Sequence, residues 1–210
     1  MQIILLRHAE TLWNQDGRWQ GHTDVPLSPT GLAHVQASAR YAKGWSAGLS
    51  QVYASDLTRA LTTAEEIFPE WRHRMIIDAR LREIHLGDWE GKNRDAIIEA
   101  YAQTLNEFDR TEHVRAPGGE SFRDSRERVL AWYRDEAANW GQDDRIVVVA
   151  HGGTIKALLF ALIPELPGAL RKHFRVGNLS VSVLEASPTR IEVLHWNLPI
   201  EGYSPGHLGD

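Results

Sequence analysis

The sequence contains no cysteine, and that absence excludes disulfides, zinc–thiolate sites, iron–sulfur clusters and thiol nucleophiles in one step. Long apolar runs are also missing. The first, Ile3 to Leu6, is too short for a membrane span or a signal peptide and has no basic segment ahead of it. A cytoplasmic protein with no membrane partner is expected. Neither sign of charge dominates: 23 Lys and Arg face 28 Asp and Glu, for a formal net charge of −5. Blanket nucleic-acid binding is therefore not expected, and any basic function must be local. Among the histidines, His8, His22, His34, His85 and His151 show no metal-ligand spacing, so no metal site is implied; no cofactor is expected.

What the chain does have is a set of short apolar runs separated by helical patterns. Ile3 to Leu6 and Ile146 to Ala150 show no alternation, as expected of strands buried on both faces of a parallel sheet. Strands are predicted over 2–7, 51–54, 75–78, 145–150, 179–186 and 190–196. The last two, separated only by Ser187, Pro188 and Thr189, predict an antiparallel hairpin at the sheet edge. That exposed edge would permit a homodimer. Helices are predicted from Ser28 and Pro29 to about Lys43 and Gly44, from just after Ser55 and Asp56, with a cap near Asp56, to Phe68, over 93–110, over 120–139, and over 154–163 directly after Gly152 and Gly153. Strands alternating with helices imply one α/β domain, a three-layer sandwich with a mainly parallel central sheet and helices on both faces. Residues 9–27 and 111–120 are polar and long enough to be functional loops. A loop and helical cap is expected around 84–120 and an irregular tail over 197–210, either disordered or folded back over the pocket.

Chemistry concentrates at the strand ends. His8 and His151 each follow an apolar run, one with Arg7 beside it and the other with Gly152 and Gly153 after it. If those strands are parallel neighbours, Arg7, His8 and His151 converge at the carboxyl edge of the sheet, where such folds place their ligands. Arg59 falls in the first turn of a helix, where the macrodipole disfavours a cation unless an anion lies between them. Taken alone, it reads more readily as a solvated arginine. Glu83 lies just past the 75–78 strand and could protonate a leaving alkoxide beside a bound phosphate; otherwise it would pair with Arg80 or Arg82.

Together these residues resemble the histidine phosphatase superfamily. The resemblance begins with Leu6-Arg7-His8-Ala9-Glu10-Thr11, Trp13 and Asn14, then Gln20-Gly21 and Pro26-Leu27-Ser28 with Gly31. It continues through Ser55-Asp56-Leu57, Arg59-Ala60, Leu81-Arg82-Glu83, Gly87 with Trp89-Glu90-Gly91, Pro117-Gly118-Gly119-Glu120-Ser121 and Ala150-His151-Gly152-Gly153. It spans nearly the whole chain in order. The resemblance implies that His8 is the nucleophile, forming a phosphohistidine that water hydrolyses, with Glu83 as proton donor and then base. It further implies that Arg7, Arg59 and His151 surround the phosphoryl group, with Asn14, Gln20, Gly21 and the Gly152 backbone completing its binding. Ala9 departs from the family's usual glycine; were positive φ needed there, its methyl group would cost about 1 kcal/mol.

The family includes cofactor-dependent phosphoglycerate mutases as well as phosphatases. The short interval from Glu83 to His151, and the glycine motifs within it, look more like the phosphatase branch, which includes α-ribazole phosphatases. The expected function is metal-independent hydrolysis of a small-molecule phosphomonoester: a sugar phosphate, a phosphoglycerate or an α-ribazole phosphate. A mutase is the alternative, and a non-catalytic phosphate-binding module the alternative of another class. Trp13, Trp19, Trp89, His22, His85, Tyr203 and His207 are candidates for the pocket rim, with Arg115 or Lys92 suited to a carboxylate or second phosphate.

Overall fold

The computed structural model describes residues 1–46, 48–187 and 189–203. Six strands, β1 (Gln2–Arg7), β2 (Gln51–Ala54), β3 (Ile76–Ile77), β4 (Arg145–Ala150), β5 (Ser180–Ala186) and β6 (Ile191–Pro199), form one sheet in the order β3-β2-β4-β1-β5-β6. The first four in that order run parallel, and β5 and β6 are antiparallel. The helices are α1 (Leu12–Gln15), α2 (Pro29–Ser46), α3 (Thr58–Ile67), α4 (Arg94–Arg110), α5 (Phe122–Ala137) and α6 (Gly152–Leu162).

Because successive strand residues point to opposite faces, β1 and β4 each feed two cores. Ile3, Leu5, Ile146 and Val148 join Ile97 and Phe108 of α4, Phe122 and Trp132 of α5, and Leu158 of α6. Ile4, Leu6, Val147 and Val149 join Val35 and Trp45 of α2 and Ala60 and Ala64 of α3. This is the expected sandwich. Each fully buried aliphatic side chain contributes about 1.5–3 kcal/mol, so the two central strands are heavily anchored.

Several boundaries shift from expectation for identifiable reasons. Ser28 does cap α2, its Oγ accepting the Gly31 N–H at 2.9 Å, but the helix passes Gly44 because Trp45, fully buried, packs against Phe68 and Tyr203. The 75–78 strand narrows to two residues, since Asp78 turns to cap a 3-10 turn at Arg80 N. The expectation of an irregular tail from residue 197 is corrected. Asn197 to Pro199 complete β6, with Leu198 opposite Val181 and Pro199 opposite Ser180, and Ile200–Gly202 form a 3-10 turn. A register shift within the β5–β6 pair and the positive φ of Asn197 (56°) break the two-residue alternation that would have marked this strand. Residues 204–210, and with them His207, lie outside the described residues.

Candidate active site

The site follows from one register. Arg7 of β1 lies opposite Ala150 of β4, and the next backbone bond, His8 N–H to Ala150 O at 3.0 Å, keeps the strands together as they end. His8 and His151 therefore leave the sheet side by side, with ring centroids 5.1 Å apart. Both are buried, at 2% and 0% exposure.

His8 has a defined tautomer. Its Nδ1 lies 2.7 Å from the carbonyl oxygen of Ala9, which only accepts, so Nδ1 carries the proton and Nε2 keeps its lone pair. Burial holds the His8 imidazole well below its usual pKa of 6.5, and the charges of Arg7 and Arg59 push the same way. His151 is lowered likewise by burial and by Arg59; its Nε2 meets Ser55 Oγ at 2.9 Å. Ala9 is not in the left-handed region. Its N–H donates to Thr63 Oγ1 at 3.0 Å and its methyl group is buried in the α2–α3 core, so alanine fits where the family usually has glycine.

Arg59 is not the solvated residue that its position alone allows. It is fully buried, and its two Nη groups donate to Thr23 O (2.9 Å) and Gly21 O (2.7 Å). Burial brings its pKa down to about 10, opposed by the nearby charges of Glu83 and Asp24. Arg7 donates from Nη1 to Val176 O at 2.6 Å. Arg7 Nε, Arg59 Nε and His151 Nδ1 are buried without hydrogen-bond partners among the described residues, a set that anionic oxygens would satisfy. Gly21 can turn here because it takes positive φ (52°), and a Cβ at that position would strike Glu90 Oε1 at 2.1 Å.

Glu83 pairs with neither Arg80 nor Arg82. Arg80 is held by Asp78 and Asp135, and Arg82 by Asp56. The Glu83 oxygens instead accept backbone N–H groups, Oε1 from Ile84 (2.8 Å) and Oε2 from Gly153 (3.0 Å). Asn14 Oδ1 takes Thr11 N–H and Asn178 Nδ2, and its own amide NH2 has no acceptor among the described residues, while Gln20 Oε1 accepts from Thr11 Oγ1. Arg7, His8, Asn14, Gln20, Gly21, Arg59 and Glu83 line one cavity of about 200 Å³. Gly152 borders a neighbouring cavity of about 500 Å³, and Arg7 and Glu83 line both.

A profile of the histidine phosphatase superfamily (branch 1) matches residues 3–199. This chain belongs to that superfamily. Among curated relatives, the probable phosphoglycerate mutase GpmB of Escherichia coli O1:K1 / APEC is 32% identical over 183 residues, covering 87% of this chain and 83% of the relative. Among solved structures, the mycobacterial glucosyl-3-phosphoglycerate phosphatase Rv2419c complexed with VO3 superposes with a TM-score of 0.80 at 31% identity, covering 94% and 98% of the two chains. The α-ribazole phosphatase from Shigella flexneri reaches the same TM-score at 26% identity over 94% and 96%.

Other parts of this histidine phosphatase depart from the sequence reading. Asp56, expected just before α3, is bound to Arg82; the N-cap position is Leu57, which offers no side-chain bond, and Asp24 of the 9–27 loop takes the capping role instead, accepting from Thr58 N (2.8 Å) and Oγ1 (2.6 Å). Arg115 and Lys92 do not line the pocket: Arg115 pairs with Asp124, and Lys92 donates to the Asp88 carbonyl. Tyr203 packs on Trp45 in the α2–α3 core, and Trp89 is buried beneath Trp19, so of the aromatic candidates Trp19 reaches the cavity. Sequence reading missed Arg128, whose guanidinium donates to the carbonyls of Arg80, Arg82 and Glu83 and to the Glu120 carboxylate, holding the Glu83 segment. Asn178, which ties Asn14 to His8 O, also lacks a local signature.

Proposed function

We propose that this chain is a phosphomonoesterase that hydrolyses a small phosphorylated metabolite through a phosphohistidine on His8. The carrying observation is the 2.7 Å contact of His8 Nδ1 with the Ala9 carbonyl oxygen, which requires the proton on Nδ1 and leaves Nε2 as a neutral nucleophile within the field of the Arg7 and Arg59 guanidinium groups. In this reading Nε2 attacks phosphorus and the bond to the leaving oxygen breaks. Arg7, Arg59 and His151 offset the charge that develops. In the tautomer this reading uses, Ser55 Oγ, which takes the Leu57 N–H at 3.3 Å, donates to His151 Nε2 2.9 Å away, so that the proton sits on the otherwise unpartnered Nδ1. Asn14, Gln20 and the Gly152 N–H bind further oxygens. Glu83 gives its proton to the leaving alkoxide, then takes one from the water that attacks phosphorus and breaks the N–P bond. No metal enters these steps.

Hydrolysis is favoured over phosphoryl return because the pocket is not closed. It adjoins cavities of about 340 and 500 Å³, and Glu83 lines all three, so water can reach a phosphohistidine. The two phosphatase structures support the same choice over the mutase suggested by the relative's name. The reading takes residues 1–210 as one domain, with the segment around 84–120 capping the pocket through Leu86, Phe108 and Asp109. No helix of the described residues is long and apolar enough to cross a membrane, and a cytoplasmic enzyme is the accompanying reading. The open edge of β6 supports a homodimer.

The test is p-nitrophenyl phosphate hydrolysis in a chelator, with rapid-quench trapping of acid-labile phosphate on the protein. His8→Ala abolishing both release and label is the expected result. Release that survives the substitution would overturn the reading, as would bisphosphoglycerate-stimulated isomerisation of 3-phosphoglycerate that outpaces phosphate release.

A further inference from the structure

Beside the phosphoryl pocket, and sharing Trp19, Glu83 and Leu86 with it, lies a cavity of about 340 Å³. Part of its lining is apolar, with Ile84, Leu86, Phe108 and Phe122, and part is cationic, with Arg94, Lys156, Arg171 and Lys172. The acidic groups facing it are Glu83, engaged by two backbone N–H groups, and Asp109, already paired with Arg94 at 2.5 Å. Glu83 and Asp109 still act on Lys156, and Glu112 and Asp109 on Arg171, but none of them forms an ion pair with either cation among the described residues.

Lys156 is the informative member. It lies one turn past Gly152 and Gly153 on α6, and helical side chains lean toward the N-terminus, so its stem runs back toward Glu83 and the phosphoryl pocket. It lines both the 340 Å³ cavity and its 500 Å³ neighbour. Its ammonium has no hydrogen bond or ion pair among the described residues, and burial lowers its pKa. Arg171, 6% exposed and stacked 4.9 Å from the Phe122 ring centroid, donates from Nη1 to Thr111 O, while its Nη2 is buried without a partner. A partly buried ammonium without a hydrogen-bond partner and a buried guanidinium with one unsatisfied nitrogen are both better satisfied when a ligand supplies an anion.

Resting on the phosphatase reading above, we propose that the leaving group occupies this cavity and carries both an apolar body and a second anionic group, a carboxylate or a phosphate, received by Lys156. The apolar wall takes the body, the lysine takes the acid, and Glu83 stands at the junction where the ester oxygen departs. Lys156 is thus a specificity-determining residue. A short neutral phosphomonoester would fill the first pocket only.

The test compares three aryl phosphates: 4-nitrophenyl phosphate (neutral), 4-carboxyphenyl phosphate, and the bisphosphate of hydroquinone. Specificity constants are measured for the wild type, Lys156→Met and Lys156→Arg, so that intrinsic leaving-group reactivity cancels in each variant-to-wild-type ratio. Lys156→Met is expected to lose about tenfold more on an anion-bearing substrate than on the nitro compound, as for a lost charge-assisted hydrogen bond, and Lys156→Arg to restore most of it. The anion with the larger loss identifies which acid the subsite takes. Equal losses on all three, or no recovery with arginine, would overturn the subsite while leaving the phosphatase intact. Failure of the wild type to hydrolyse any of the three would overturn the phosphatase reading itself.

Discussion

The Gly153 N–H donates to Glu83 Oε2 at 3.0 Å, and a Cβ added to residue 153 would lie 2.1 Å from Glu83 Oε1. The first turn of α6 thus both binds the carboxylate and leaves room for it. Gly153→Ala is expected to move the carboxyl group rather than the fold, because the obstructing atom is the tip of a side chain. The expected result is a kcat lowered about tenfold to a hundredfold, since a positioned general acid contributes 10²–10⁴-fold. Inhibition by inorganic phosphate should change little. Thermal stability should hold or rise slightly, as alanine is the better helix residue. Unchanged kcat with a lower Tm would contradict the assignment of Glu83.

The two buried imidazoles make stability depend on pH in a defined window. Burial, then the charges of neighbouring arginines, hold His8 and His151 well below 6.5. Above about pH 6.5 both folded and unfolded chains carry neutral rings. As pH falls below it, the unfolded chain binds protons that the folded one refuses, so stability falls with pH until the folded values are reached. His22 is also lowered, first by burial, and adds to the slope. Tm is therefore expected to drop between about pH 6.5 and 5, before the lowered carboxylates of Asp56, Glu90 and Glu120 titrate. The slope should be shallower in His151→Gln. Long-range 15N spectra at pH 6 should show His8 protonated on Nδ1; an Nε2–H tautomer would remove the proposed nucleophile.

Much of the site was legible because its two histidines follow directly from local pattern. An unbroken apolar run marks a central strand, and a residue just past it sits at the carboxyl edge, so β1 and β4 deliver His8 and His151 without tertiary information. Position alone favoured a solvated Arg59 and a Glu83 salt bridge with Arg80 or Arg82; the family resemblance pointed to both as site residues, but not to their partners. The groups that hold them come from distant segments: Gly21 and Thr23 for Arg59, Gly153 for Glu83, and Asp24 in place of the expected Asp56 at the start of α3. Arg128 was hidden for a further reason. On an amphipathic helix a charged residue reads as solvent-facing, and nothing local says that three carbonyls await it. The basic residues were misplaced likewise: Lys92 and Arg115 stand nearer the motifs, whereas Lys156, within an apolar helix, reaches the cavity.

Ala9 offers a test of the departure from the family's glycine. Because its backbone is not left-handed and its methyl group is fully buried, Ala9→Gly should be destabilising by about 1 kcal/mol, from lost burial and added chain entropy. Activity on p-nitrophenyl phosphate should stay within about twofold of wild type, since the Ala9 carbonyl that fixes the His8 tautomer is backbone and survives. A large gain in kcat would mean that the methyl group strains the His8 loop.

Asp24 links the stability of a helix to the shape of the phosphoryl pocket. Its carboxylate accepts from Thr58 N and Oγ1 at the start of α3, and the residues just before it supply the Gly21 and Thr23 carbonyls that hold Arg59. Loss of an N-cap costs about 1 kcal/mol, so Asp24→Ala should lower stability by about that amount. The larger consequence is local: with the loop untethered, the guanidinium of Arg59 loses its fixed acceptors and some of its orientation. KM for p-nitrophenyl phosphate and the inhibition constant for phosphate should both rise, by about three- to tenfold, if a charge-assisted contact is weakened rather than removed. Asp24→Asn keeps one acceptor oxygen for the Thr58 N–H and should recover part of both. A stability loss with unchanged phosphate affinity would show that the loop holds Arg59 without help from the cap.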